Sequence, residues 1–411
     1  MNSEQLFAAA LGLPSPWNIK EVKLIESETK DKNKELHIYI EYQKGSLFPD
    51  HTGQLCKIYD SANRTWRHLN FFQHKCFIHC KLPRIKGSDG KVKTIEVPWA
   101  RAGSGFTLLF EAFVMSLIES ESPINKIAKV VQEDPHRIWT IFNYWTEKAV
   151  SNNDISSVTN LGIDETSKKK GHNYITTAVD LDEKKVINIV DGKDKNAVKQ
   201  IKDNLEAKGV KAEQIEHASI DLSKSFISGI SEYFPKAQIH FDRFHVVQLL
   251  NKAMNEVRIQ ERKEHKELKG HKYTFLKNKN SLSDEKINKL SELITLFPTL
   301  GEAYRLKELF NDLWEMNTAE EADSFIDIWL KEVESKNIPA FNKFATTVKI
   351  HRKGIINYVE TKINNGILES INAKIQQAKR RAKGYRNLNN FKNMIYFLCG
   401  KLDFGLPRFS T

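Results

Sequence analysis

Apolar and polar positions change rhythm several times along the chain, and each change marks a different kind of element. In the first hundred residues, "KELHIYIEY", "HKCFIHCKLPRI" and "KTIEVPWA" alternate apolar and polar side chains between turns carrying Gly and Asp. That two-residue period predicts strands with one buried face, hence a small β-rich module. After Gly105 the period lengthens to that of helices in "FTLLFEAFVMSLIES", "SPINKIAKVV" and, beyond a break at "QEDP", "HRIWTIFNYWTEKAV". Ile124, Ile127, Ala128 and Val131 share one helical face, and Ile138, Ile141 and Trp145 share another. Two short amphipathic helices joined by a tight turn behind a longer helix outline a helix-turn-helix, although a plain three-helix bundle would leave the same pattern. Lys126, His136 and Arg137 would supply its charge for DNA.

Between 151 and 250 the rhythm is β/α. "VTNLGIDE", "YITTAVDL" and "KVINIVDG" predict three successive strands, "NAVKQIKDNLEAKG" a helix ending at Gly, and "IEHASIDLS" a fourth strand. The helix "FISGISEYF" and a fifth strand "AQIHFDRFH" complete the order βββαβαβ. From about 246 to 362 the pattern is almost entirely helical and rich in Lys and Glu. A last helix opens after "NNG" and runs through "ILESINAKIQQAKRRA" towards "GYRNLNNFKNMIYFLCG". The predicted chain is thus a multidomain mixture of α/β and α parts. Its segments are a β-rich module at 1–104, a helix-turn-helix at 105–152, an α/β core from 153–245 and 363–411, and an α-helical insertion at 246–362.

Composition adds partner and compartment. At 411 residues the chain exceeds one compact core. Sixty-three Lys and Arg against 52 Asp and Glu leave +11, which suits a polyanionic partner. The four cysteines, Cys56, Cys76, Cys80 and Cys399, form no C-x-x-C pair and suit a reducing compartment. No apolar run is long enough for a membrane span, and the start "MNSEQLFAAALGLPSP" lacks the marks of a signal peptide, so a cytoplasmic protein is expected.

Three antiparallel strands followed by α, β, α and β open a ribonuclease-H-like fold, in which strands one and four lie side by side. Asp164, after Ile163, is read as closing strand one, and Asp221, after Ile220, as closing strand four, so the two acids should converge. Phosphodiester chemistry runs well on two Mg²⁺ ions roughly 3.5–4 Å apart, and hard cations take carboxylate oxygens. Glu369 is the candidate third acid. Ile367, Ile371, Ile375 and Ala378 read as the buried stripe of its helix, while Glu369, Asn372 and Gln376 share a neighbouring face. Lys374, Lys379, Arg380, Arg381, Lys383 and Arg386 follow, a basic run suited to a phosphate backbone. Glu165, Asp180, Asp182, Asp191 and Asp242 compete for the acidic roles on sequence alone. The run Lys168, Lys169 and Lys170 reads as a turn, either touching DNA or simply solvated.

The strings "WRHLNFFQH", "VPWARAGSGFTLLFEA", "LGIDE", "FDRFHVVQLLN" and "ESINAKIQQAKRRAKGYRN", dispersed over nearly the whole chain, resemble the ISL-three family of bacterial insertion-sequence transposases. The resemblance implies a DDE transposase with an N-terminal zinc-knuckle and helix-turn-helix region, and a ribonuclease-H-like core split by a helical insertion. It puts the first aspartate on Asp164 in "LGIDE" and the glutamate on Glu369 in "ESIN". Strand position gives Asp221 as the second aspartate, ahead of Asp242; "DRFH" assigns Asp242 and His245 accessory roles. Asn372 would orient Glu369 or touch a phosphate, the basic residues from Lys374 to Arg386 would neutralise DNA, and Tyr385 would stack on a base. The cofactor implied is Mg²⁺, or Mn²⁺, as two ions. The partners implied are double-stranded element ends and target DNA, bound by a homodimer or larger assembly that is nucleoid-associated when on DNA.

One departure concerns zinc. Gly87 and Gly90 stand where the family carries a cysteine pair, and Asp50, His51, Cys56, Cys76 and Cys80 do not make a four-ligand set, so no zinc is assigned. Cys76 and Cys80, in an alternating strand, read as core residues. Two rivals remain: a nuclease or junction resolvase without strand transfer, and a catalytically silent DNA-binding relative.

Overall fold

The computed structural model describes residues 3–26, 34–169, 173–363 and 366–407. Contacts divide the chain into two units, Met1–Ser151 with Leu402–Thr411, and Asn152–Lys401.

The first unit begins with a helix absent from the sequence expectation, α1 (Ser3–Leu11). Strands β1 (Trp17–Glu26), β2 (Lys34–Tyr42), β3 (Phe48–Pro49), β4 (Leu55–Cys56), β5 (Ile58–Phe71), β6 (His74–Lys86) and β7 (Val92–Thr94) follow. The main sheet has the order β1-β2-β6-β5, with β7 paired to β6 and β2 running parallel to β6. Alternation buries Leu36, Ile38, Ile40, Trp66, Cys76, Ile78 and Cys80 on one face, packed with Trp17 and Trp99. Burial pushes the thiols of Cys76 and Cys80 up to about 12, so both are inert core groups. Helices α2 (Leu108–Glu119), α3 (Ile124–Val131) and α4 (Pro135–Asn152) come next. Thr107 caps α2 by accepting from the Phe110 amide, and α3 ends at Gln132 in the left-handed region, φ 56°.

In the second unit β8 (Asn160–Lys169), β9 (Asn173–Asp180) and β10 (Lys185–Asp191) form an antiparallel set. After α5 (Lys195–Glu206) comes β11 (His217–Ile220), and after α6 (Lys224–Tyr233) comes β12 (Gln238–Phe241). The sheet order is β10-β9-β8-β11-β12, with β11 parallel to both neighbours. Helices only follow: α7 (Arg243–Glu264), α8 (Lys272–Leu276), α9 (Asp284–Leu296), α10 (Pro298–Asn311), α11 (Ala319–Lys336) and α12 (Pro339–Thr361). One apolar cluster runs from the sheet through these helices, from Ile155 to Val359, so they share the core of the sheet. The chain returns to the sheet as α13 (Gly366–Arg381) and α14 (Leu388–Cys399), two helices where the pattern read as one.

Strand parity sorts the two faces of the sheet. Leu161, Ile163 and Ala178 join the cluster with α5 and α6, whereas Ile175, Val179, Val186 and Ile189 pack with Leu368, Ile371, Ile375, Phe391 and Ile395 of α13 and α14. The buried stripe of α13 is therefore Leu368, Ile371, Ile375 and Ala378, with Leu368 in the place expected for Ile367. Gly162 permits this contact: a Cβ there would lie 2.8 Å from Leu181 Cδ2 and 3.0 Å from Leu368 Cδ2.

Candidate active site and nucleic-acid interface

Asp164 is not at a strand end. β8 continues five residues past it, to Lys169, because the hairpin with β9 is longer than the apolar run suggested; Asp164 lies opposite Thr177. On its other side, however, β11 pairs only with Asn160 to Gly162. Asp221 follows the last residue of β11, so the two carboxylates meet where the parallel pairing stops. Burial first, and the Asp221 charge after it, push Asp164 up to about 6. Asp221 is raised by burial too, against the Ser223 amide that donates to its Oδ1 at 2.9 Å. Glu165 is half-buried and not a surface acid: burial, then Asp221 and Asp164, push it up to about 7. Desolvated, mutually repelling carboxylates are the arrangement that favours a bound cation.

α13 is fastened to this point by Asn372. Its Nδ2 donates to Asp164 Oδ2 at 2.5 Å, and its Oδ1 accepts from Thr166 Oγ1 at 2.5 Å. Because a carboxylate only accepts, Asp164 fixes which way the amide faces. Thr166 escaped the sequence reading, yet it sits two residues from Asp164 on the same strand face, so the period-two rule points to it. Glu369, one turn earlier on α13, is exposed, and its charge is felt by Tyr358, which also senses Arg243 and Asp242. Asp242 caps α7, accepting from the Phe244 amide at 2.9 Å, with His245 Nε2 3.8 Å from its Oδ2. Nearness to His245 works against the rise at Asp164, Glu165 and Asp221, and nearness to Lys193 does so at the last two. No sequence signal marks Lys193.

In the first unit a buried carboxylate ties α2 to α4 and to the segment before α2. Glu111, fully buried, accepts from Arg101 Nε at 3.0 and 3.1 Å, Ser104 Oγ at 2.6 Å and Trp145 Nε1 at 2.7 Å. Arg67, buried on β5, lies with Nε 3.4 Å from Glu133 in the turn between α3 and α4. Lys126 and His136 are exposed, while Arg137 pairs with Glu133 and lies 4.1 Å over the Phe106 ring.

Residues 161–395, more than half of the chain, match a family described as Transposase, and residues 95–146 match the helix-turn-helix domain of transposase family ISL3. The chain belongs to the ISL3 transposase family. It is 26% identical over 419 aligned residues to the transposase for insertion sequence element IS1557 of Mycobacterium tuberculosis, covering 94% of this chain and 93% of that one. It is 25% identical over 372 residues to the transposase for element IS1001 of Bordetella parapertussis, covering 88% and 91%.

The basic residues of the transposase divide by environment. Lys374, Arg380, Lys383 and Arg386 are exposed and Arg381 half-buried. Lys379 donates to the Ser167 carbonyl, and Lys168 lies in β8, not in a turn, bound with Lys392 to Asp191. Lys169 also belongs to β8, and Lys170 lies outside the described residues. Tyr385 is stacked on Phe391 at 5.1 Å, so one ring face is already used inside the protein.

Asp164 and Asp221 offer carboxylate oxygens and are both raised chiefly by burial, a cost that a divalent cation would offset. Among the described residues, though, no group of three or more His, Cys, Asp or Glu stands close enough to hold a metal ion, and Glu369 lies outside the acidic pair's immediate set. At the two turns where the resemblance implied zinc knuckles, a carboxylate makes the link. Asp50 accepts from the Thr52 amide and hydroxyl at 2.9 and 2.6 Å, and from the Ser88 amide and hydroxyl at 2.9 and 2.8 Å. Those donors, the Ser88 amide foremost, hold Asp50 well below the usual carboxylate range. Among the described residues no helix is long and apolar enough to cross a membrane.

Proposed function

We propose that this transposase cuts the ends of its insertion sequence and joins the freed 3′-hydroxyls to target DNA through a ribonuclease-H-like core. The observation that carries the reading is the meeting of Asp164 and Asp221 beside the end of β11, with α13 fastened to Asp164 by Asn372. Asp164, Asp221 and Glu369 are the proposed catalytic carboxylates. With Glu369 drawn in beside the pair when DNA is bound, they would hold two Mg²⁺ ions, which would supply activation of the attacking oxygen and stabilisation of the leaving one. Asn372 keeps the Asp164 carboxylate aimed, His245 moderates the negative charge around it, and Asp242 fixes the start of α7. The exposed cations Lys374, Arg380, Lys383 and Arg386, with Arg381, neutralise the DNA backbone near the cut. α3 and α4, bearing Lys126, His136 and Arg137, bind the element ends. Domain limits follow the same reading, with 246–362 as an all-helical insertion before Glu369.

The test is a cleavage and strand-transfer assay on duplexes carrying the terminal inverted repeat. Wild type should give cut ends and joined product, and Asp164→Asn, Asp221→Asn and Glu369→Gln should give neither. Cleavage without joined product would identify a nuclease or resolvase. Unchanged strand transfer in Asp164→Asn would refute the site.

A further inference from the structure

Beyond the acidic pair, a small cavity of about 170 Å³ opens between the far end of the β8–β9 hairpin and the junction of α13 and α14. Its lining combines two chemistries. Lys168, Lys379 and Arg386 supply cations, while Tyr385, Phe391 and Leu388 form an apolar wall in which the two rings lie 5.1 Å apart at 29°. Lys379 and Lys168 are not loose surface charges: one is held by the Ser167 carbonyl and the other by Asp191, so both are pre-positioned. Asp191 also takes Lys392, which leaves a positive excess on that rim.

Resting on the transposase reading above, we propose that this cavity receives a single nucleotide extruded from the DNA, its base against the Tyr385–Phe391 wall and its phosphate on Lys379 and Arg386. A site for a phosphate alone would need no aromatic wall, and a greasy pocket would need no cations. The volume lies below that of pockets for drug-sized ligands, about 300 Å³ and upward, which suits one base. Position sets the register. Lys379 stands seven residues beyond Asn372 on α13, about 10 Å at ~1.5 Å per residue. At about 3.4 Å per stacked nucleotide the extruded position falls about three nucleotides from the phosphate that is cut.

Extrusion is easier where pairing is already broken, so a mismatch at the extruded position should tighten binding. The experiment measures affinity of the full-length protein, in EDTA, for terminal-repeat duplexes carrying one mismatch moved step by step along the strand. The expected result is about tenfold tighter binding at one or two positions within about three nucleotides of the cut. That gain should vanish in Leu388→Trp, which fills the cavity, and shrink in the exposed variant Arg386→Ala, which leaves its walls intact. A flat mismatch profile with specific binding of the intact repeat overturns the pocket alone, as does a gain unchanged in both variants. Equal affinity for the intact repeat and a scrambled duplex overturns end recognition, and the pocket with it.

Discussion

Asn372 offers a sharp test of how the site is held, because its two hydrogen bonds do different work. The bond to Asp164 Oδ2 at 2.5 Å joins an amide to a charged acceptor, and the bond from Thr166 Oγ1 is neutral. A bond to a charged group contributes roughly 1.5–3 kcal/mol and a neutral one about 0.5–1.5 kcal/mol. Asn372→Ala removes both, and should cost about 2–4 kcal/mol of α13 docking. If the charged bond acts by aiming Asp164, its loss converts to roughly 10- to 100-fold slower cleavage at about 1.4 kcal/mol per tenfold. Asn372→Asp keeps the shape and the Thr166 partner but turns a donor into a second carboxylate facing Asp164. It should therefore cleave more slowly than Asn372→Ala despite being the closer isostere. Single-turnover cleavage of an end-labelled terminal-repeat duplex gives the rates, and thermal melting gives the docking term. Should Asn372→Asp cleave as fast as wild type, or faster than Asn372→Ala, the electrostatic account of this residue is wrong.

Four further outcomes rest on burial, charge and close packing. Asp164 is pushed up to about 6 by burial, against about 3.9 in the unfolded chain; the folded state binds the proton more tightly, so stability rises as pH falls through 6 towards 4. At pH 7 the charged group costs at most roughly 3 kcal/mol, so Asp164→Asn should abolish cleavage yet resist urea better than wild type in EDTA, and a less stable variant would contradict this. Glu369→Gln, at an exposed position, should leave stability within about 0.5 kcal/mol. His68 goes the other way: burial, then the Arg67 charge, depress it to about 4, below about 6.5 in the unfolded chain. Stability is then full above pH 6.5 and falls as pH drops towards 4, by up to roughly 3 kcal/mol, and urea titrations of His68→Gln should show that slope flattened. A Cβ at Gly354 would lie 2.4 Å from two Phe241 ring carbons, so Gly354→Ala must lift α12 from β12, costing about 1–3 kcal/mol; an unchanged melting temperature would mean the contact yields freely.

The succession of elements was legible because period-two and period-3.6 patterns are set by burial, and burial is what the sheet and helices impose. The neighbouring of β8 and β11 was expected from the succession βββαβαβ, not from the periods themselves. What was not legible depends on partners distant in sequence. β8 runs on past Asp164 because β9 is there to pair with it, and nothing in "LGIDETSKK" marks where that hairpin turns. α13 buries Leu368 instead of Ile367 because Gly162 opens a slot on β8 at that height. Gly87 and Gly90 showed that a cysteine pair was missing, but not that Asp50 would gather Ser88 and Thr52 to tie the two turns.

At the site, strand parity separates neighbours that the sequence could not rank. Gly162, Asp164 and Thr166 alternate with Leu161, Ile163 and Glu165 along β8; the first set meets α13, and the hydrophobic members of the second meet α5 and α6. Asp164 therefore has Asn372 to orient it, while Glu165 gains burial without an amide from α13. Both acids feel Asp221, because the pairing with β11 ends two residues before Asp164. β11 stops at Ile220, one residue past that pairing, and Asp221 follows at once, so the end of the strand sets where the second carboxylate stands. The position of the acidic pair is fixed by where a strand stops pairing, a property of two segments together and of neither alone.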